Sequence, residues 1–239
     1  MNTINSVEKI SIWMKIVGVF WGSPAFTLRK IARMPDFIGI GSLLLGLNLA
    51  LVLIQLPKIK QFTTWTLQNL PHGVRLPLEQ LEVAVNAAAV SFLVGGVISI
   101  LVMWLGLAAL LKLWNIYRGE KASFQSLFTV SIYASLPLLL SKILMTIIII
   151  GSPFEKMSRI TFSPAYFFPN QGINPEKMYV LLSQFDPFMI WSLILTALGG
   201  SLAMKVPFLK VFLYLLVVWL IYVAGLSLFF STGSLGMAY

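Results

Sequence analysis

The chain contains no cysteine and a single histidine, His72, among its 239 residues. Disulfides, thiolate metal sites, a cysteine nucleophile and every multi-histidine metal centre are thereby excluded. His72 stands between Pro71 and Gly73 and reads as a turn residue. Charge is nearly as scarce, at 10% of residues, and only 8 of these are acidic. No Walker loop, dinucleotide fingerprint or H-E-x-x-H motif occurs. With so few acids and bases the chain is expected to be neither an enzyme nor a holder of cofactors.

What fills the chain instead is apolar: 58% of residues are hydrophobic and the mean hydropathy is +0.89. Soluble domains run at about 45–50% apolar and about 25% charged. The apolar residues fall into five runs, at 38–56, 87–111, 126–150, 187–204 and 208–230. Each is long enough to cross a bilayer as a helix, which needs about 20 residues with a range of about 17–25. Backbone groups in lipid must be satisfied within the segment. The sequence therefore predicts an all-α polytopic membrane protein with five spans. Pro137 and Lys142 lie in the third span, where a kink is expected. Only Lys205, Val206 and Pro207 separate the fourth span from the fifth, which predicts a tight helical hairpin.

The net charge of +9 arises from basic residues scattered through the connections. It fits the positive-inside bias better than a nucleic-acid surface. Lys9, Lys15, Arg29, Lys30, Arg33, Lys112, Arg118, Lys121, Lys205 and Lys210 fall on one side of the five-span topology. Lys58, Lys60, Arg75, Lys156, Arg159 and Lys177 fall on the other, on much longer loops. The expected orientation in the cell membrane is a cytoplasmic N-terminus and an outer C-terminus.

Residues 1–37 read as a cytoplasmic, interfacial segment ahead of a membrane domain at 38–230 and a short outer tail at 231–239. Ile10, Trp13, Val17 and Phe20 recur at helical spacing, opposite Glu8, Ser11 and Lys15. That pattern suits an amphipathic helix on the membrane surface. A signal peptide is the rival, but Lys15 breaks its apolar core and no A-x-A-like cleavage site follows. Ser23-Pro24 reads as a helix start, and the helix through Arg29, Lys30 and Arg33 should end before Met34-Pro35. Those three cations are topology determinants and candidate contacts for anionic lipid heads. The outer connections at 57–86 and 151–185 are rich in proline and aromatics, and a short helix capped by Asn174-Pro175 is expected in the second.

Four stretches together are similar to a known family. The first is FWGSPAFTLRKIARMPDF (20–37), with Pro24 and Pro35 around a short basic helix. The second is RGEKASFQSLFTVSIYASLP (118–137), with a G-x-x-x-S-F lead-in at Gly119, Ser123 and Phe124, then Tyr133 four residues before Pro137. The third is DPFMIWSLILTALG (186–199), with Asp186, Phe188, Trp191 and Gly199; the terse hairpin into the last span is the fourth. In these the chain resembles the Yip1-domain membrane proteins of bacteria and archaea. Pro187, Gly200 and Lys142 depart from the plainest pattern. The resemblance implies five spans and a cytoplasmic N-terminus. Some bacterial relatives are linked to ABC-type exporters as membrane partners, which implies an accessory subunit of an exporter or another membrane assembly. Eukaryotic relatives are associated with Rab GTPases. Their long N-terminal region has no counterpart before Phe20, so that role is not carried over.

Two residues call for weighing. Lys142 lies about 12 Å from the outer end of its span at about 1.5 Å per residue, where a lysine costs about 2.5–3.5 kcal/mol unless paired. Either it lines a polar pocket with Asn48 and Asp186, or its stem reaches towards the outer headgroups. Asp186, before Pro187, suits a helix N-cap, since no other acid lies in a span to share catalysis. Small residues also recur every fourth position: Ser42, Gly46 and Ala50; Ser91, Gly95 and Ser99; Ser192, Thr196 and Gly200. Such faces allow close helix packing, within the chain or against another. The leading expectation is a non-enzymatic membrane protein that binds other integral membrane proteins and lipids. The alternative is a transporter or permeability factor for small molecules or lipids, using the pocket near Lys142.

Overall fold

The computed structural model describes residues 11–69, 77–168 and 177–231. All regular elements among them are helical: α1 (Ile12–Phe20), α2 (Pro24–Arg33), α3 (Phe37–Gln68), α4 (Leu78–Tyr117), α5 (Phe124–Ala134), α6 (Leu136–Gly151), α7 (Lys177–Ser183), α8 (Pro187–Met204) and α9 (Phe208–Ser231). Two short 3-10 turns, Phe154–Arg159 and Pro164–Phe167, lie between α6 and α7. Five segments are long and apolar enough to cross a membrane: α3, α4, α5 with α6, α8, and α9.

Pro137 divides the third span as its chemistry dictates. Lacking an amide hydrogen, it leaves the Tyr133 carbonyl without its usual helical donor, and α5 ends at Ala134. Ser135 secures the break. Its hydroxyl donates to the Ile132 carbonyl (2.7 Å) and accepts from Trp104 Nε1 of α4 (2.8 Å). Nothing local in sequence announces that second bond.

The helices outrun the apolar runs. At about 1.5 Å per residue, α3 extends about 48 Å and α4 about 60 Å, against a hydrocarbon core of about 30 Å. The outer connection expected at 57–86 is thus mostly helix, and only 69–77 separates α3 from α4. Pro57 signals a helix end, yet α3 continues through it because the turns beyond the proline are anchored. Ile59 is buried, Lys58 Nζ donates to the Ser152 carbonyl (2.8 Å) and Lys60 Nζ to Asn86 Oδ1 (2.9 Å). Thr64 and Thr66 hydroxyls return to the carbonyls four residues back. In the second connection α7 begins at Lys177; the expected cap at Asn174-Pro175, like His72, lies outside the described residues.

The core centres on α5, which packs against α2, α3, α4 and α8 and buries Leu127, Val130, Ile132 and Tyr133. Leu28 and Ile31 of α2 belong to the same core. The N-terminal helices differ in one respect from expectation. Trp13 and Val17 face outward, together with Met14 and Trp21, while Ile12, Ile16, Val19 and Phe20 turn to the core and Lys15 is covered. The sequence offers α1 two apolar stripes, and the one nearer α2 is used for packing. The other suits lipid.

Candidate functional site

Polar groups inside the bundle form a seam between α3 and α6. Asn48 is 2% exposed. Its Nδ2 donates to the Gly96 carbonyl of α4 (3.0 Å), and its Oδ1 accepts from Lys142 Nζ. One turn further out the Thr146 hydroxyl donates to the Lys142 carbonyl (2.7 Å) and accepts from Gln55 Nε2. The Lys58–Ser152 contact closes the end of the seam beyond the C-terminus of α6. The spacing 48, 55, 58 on α3 and 142, 146, 152 past α6 follows from two helices running side by side. Lys142 is half-buried and donates to Asn48. Asp186, the third member of the expected pocket, does not join them among the described contacts. Its carboxylate accepts from the Phe188 amide at 2.7 Å. Sequence alone does not single out Gln55, Thr146 or Gly96, although a glutamine in an apolar stretch is a signal that could have found the first.

Asp186 caps α8 at its N-terminus, where an acid meets free amides and the positive end of the helix dipole. Asp186→Ala should therefore cost about 1 kcal/mol, and Asp186→Asn, which keeps an acceptor oxygen, should be nearly neutral. Thermal midpoints of the purified variants in detergent check both. If Asn destabilised as much as Ala, the capping account would fail.

The other motif residues are also architectural in position. Pro24 is the first residue of α2, behind Ser23 as N-cap, and Pro35 lies between α2 and α3, where Asp36 caps α3 with a bond from the Gly39 amide (3.3 Å). Gly119 has φ of 68°, a left-handed turn that favours glycine, and Ser123 caps α5 by accepting from the Ser126 amide (3.2 Å). Phe124 stacks on Phe128, Phe188 meets Phe162 edge-on at 5.4 Å and Trp191 meets Phe20 edge-on at 5.3 Å. Tyr133 is fully buried, with no hydrogen-bond partner for its hydroxyl among the described residues. Gly199 lets α8 approach α5, since a Cβ there would come within 2.4 Å of Val130 Cγ1.

The three small-residue faces part company. Ser192, Thr196 and Gly200 are buried within the bundle, and a Cβ at Gly200 would lie 2.6 Å from Leu111 Cδ2. Ser42, Gly46 and Ala50 on α3 and Ser91, Gly95 and Ser99 on α4 are exposed. At Gly46 and Gly95 a Cβ would meet nothing within 4 Å. The Ser42 and Ser99 hydroxyls bond carbonyls of their own helices.

The basic residues of α2 also divide. Arg29 and Arg33 line a cavity of about 370 Å³ together with Ala32, Ser201, Leu202, Ala203, Lys205 and Val206. Lys30 instead lies over the Phe26 ring, 4.7 Å from its centroid. Lys205 ends α8 in the left-handed conformation, φ 57°, with the Val206 amide bonded to the Ser201 carbonyl at 3.0 Å.

The Yip1 domain profile matches residues 17–229. No curated protein and no solved structure gives a significant match. The chain belongs to the Yip1-domain family, a multi-pass helical membrane protein by its five apolar helices.

Proposed function

We propose that this Yip1-domain protein performs no chemistry of its own and works by binding other integral membrane proteins, as an accessory subunit of a larger assembly such as an ABC-type exporter. The observation that carries the reading is the pair of outward small-residue faces on α3 and α4. Helices associate in lipid through close packing at such faces, because burying apolar side chains gains nothing over lipid tails. Gly46 and Gly95 leave open space at the points where a partner backbone would approach. The third face of the same type is spent inside the bundle, which is how an internal contact of this kind looks. The polar seam supports the same reading over a transport role, since Asn48, Gln55, Lys142 and Thr146 satisfy one another as a brace does. The charge asymmetry supports a cytoplasmic N-terminus.

Copurification from native membranes in mild detergent tests the proposal. A stoichiometric integral membrane partner is expected, and Gly46→Leu with Gly95→Leu should release it while leaving the thermal midpoint of the isolated protein within about 2 °C, since exposed substitutions change stability by about 0.5 kcal/mol or less. A protein that purifies alone, or that carries solute across liposomes by itself, would overturn it.

A further inference from the structure

The cavity between α2 and the end of α8 is lined by three cations and no acid. Arg29 and Arg33 are four residues apart and so share one face of α2. Lys205 closes the ring from the α8–α9 turn. Among the described residues none of the three has a hydrogen-bond or ion-pair partner. Five other cations are committed: Lys58 and Lys112 to carbonyls, Lys60 and Lys142 to asparagines, Lys30 to the Phe26 ring; what sets the trio apart is that all three line one cavity. Both α2 and α8 end at the cavity, and each helix C-terminus contributes a partial charge of about −0.5. Three full positive charges outweigh that by about two units.

The place is equally specific. Exposed Trp13, Met14, Val17 and Trp21 lie on the adjoining N-terminal helix and turn, and tryptophans are enriched at the membrane interface. A cavity of this volume falls within the usual range for a small-molecule site, about 300–1,000 Å³. Guanidinium groups take phosphate oxygens in pairs, and Leu202, Ala203 and Val206 offer apolar wall beside them. We infer that this cavity binds the phosphate of an anionic phospholipid, with Arg29 and Arg33 gripping the oxygens, Lys205 completing the charge and the glycerol end lying on Leu202 and Val206. Lys205 occupies a backbone conformation in which glycine is the easy choice.

Binding is measured on the full-length protein in neutral detergent, by thermal midpoint and by native mass spectrometry, against phosphatidylglycerol, phosphatidylcholine and inorganic phosphate. Phosphatidylglycerol should raise the midpoint and stay bound, with the gain lost at high salt. Phosphatidylcholine and inorganic phosphate at equal activity should do neither. Each charge is worth roughly fivefold in affinity, so Arg29→Gln and Arg33→Gln should lose about fivefold singly and about thirtyfold together. Lys30→Gln, next door but turned onto Phe26, should change affinity less than twofold. Lys205→Gly removes the charge and eases the backbone, so the lipid-free midpoint should hold or rise while the lipid gain shrinks. Three results would overturn the site. One is an equal loss from Lys30→Gln and Arg29→Gln, which marks diffuse surface attraction. Another is stabilisation by inorganic phosphate as large as by the lipid. The last is a lower lipid-free midpoint in the arginine variants with the lipid gain intact, which marks cations serving only the helix ends.

Discussion

Asn48→Leu is expected to destabilise the bundle by about 2 kcal/mol, while Lys142→Leu costs about 1 kcal/mol or less. The asymmetry follows from what each change leaves behind. Without Asn48, Lys142 keeps its charge in a half-buried place with its hydrogen-bond acceptor gone, and the Gly96 carbonyl loses a donor. Without Lys142, Asn48 still donates to Gly96. Unpaired charge in a low-dielectric setting is the larger penalty, and removing both partners removes most of it. The double variant should therefore recover to within about 1 kcal/mol of the parent chain, a coupling that a double-mutant cycle reads directly. Reversible unfolding in mixed micelles gives the energies. A lysine substitution more costly than the asparagine one would mean that the brace is organised around the charge instead of the amide.

Gly199→Ala should cost about 2 kcal/mol, and Gly199→Leu should prevent assembly of the bundle. The added Cβ would lie 2.4 Å from Val130 Cγ1, far inside van der Waals contact, and a β-branched side chain has little freedom to turn away. Overpacking of this kind costs about 1–3 kcal/mol, and the better helix propensity of alanine offsets under about 1 kcal/mol of it. Val130→Ala vacates the contested space, so the pair should be more stable than the sum of the single changes. Additive losses would place the strain elsewhere than between α5 and α8.

Both predictions rest on contacts between distant parts of the chain, and these mark where sequence reading gave out. The five spans follow from uninterrupted apolar runs, the cap from an acid before Pro187, and the break in the third span from Pro137. Lys142 and Asn48 stand out because each is costly in lipid, so their pairing could be foreseen as one of two options. Gln55 and Thr146 are 91 residues apart and Trp104 and Ser135 are 31 apart; no local pattern brings either pair together. The extension of α3 past Pro57 was hidden for a different reason. Hydropathy reports where the bilayer ends, and tertiary anchors decide where the helix does. On α2, spacing alone grouped Arg29, Lys30 and Arg33, but helical rotation separates Lys30 from its neighbours and Lys205 takes its place.

The length of the α3–α4 hairpin makes the molecule uneven in height. The twelve residues of α3 after Leu56 amount to about 18 Å of helix beyond its apolar run, buttressed by the turn that carries Phe154, whose ring meets Trp65 edge-on at 6.5 Å. Among the described residues the opposite side carries the short helices α1 and α2, packed against the spans. In a detergent micelle or nanodisc most small helical membrane proteins are hidden to the waist and give an image with no top or bottom. Here the raised hairpin is a built-in landmark, sufficient to tell one side from the other in electron micrographs and to report the orientation of the chain in whatever assembly is imaged.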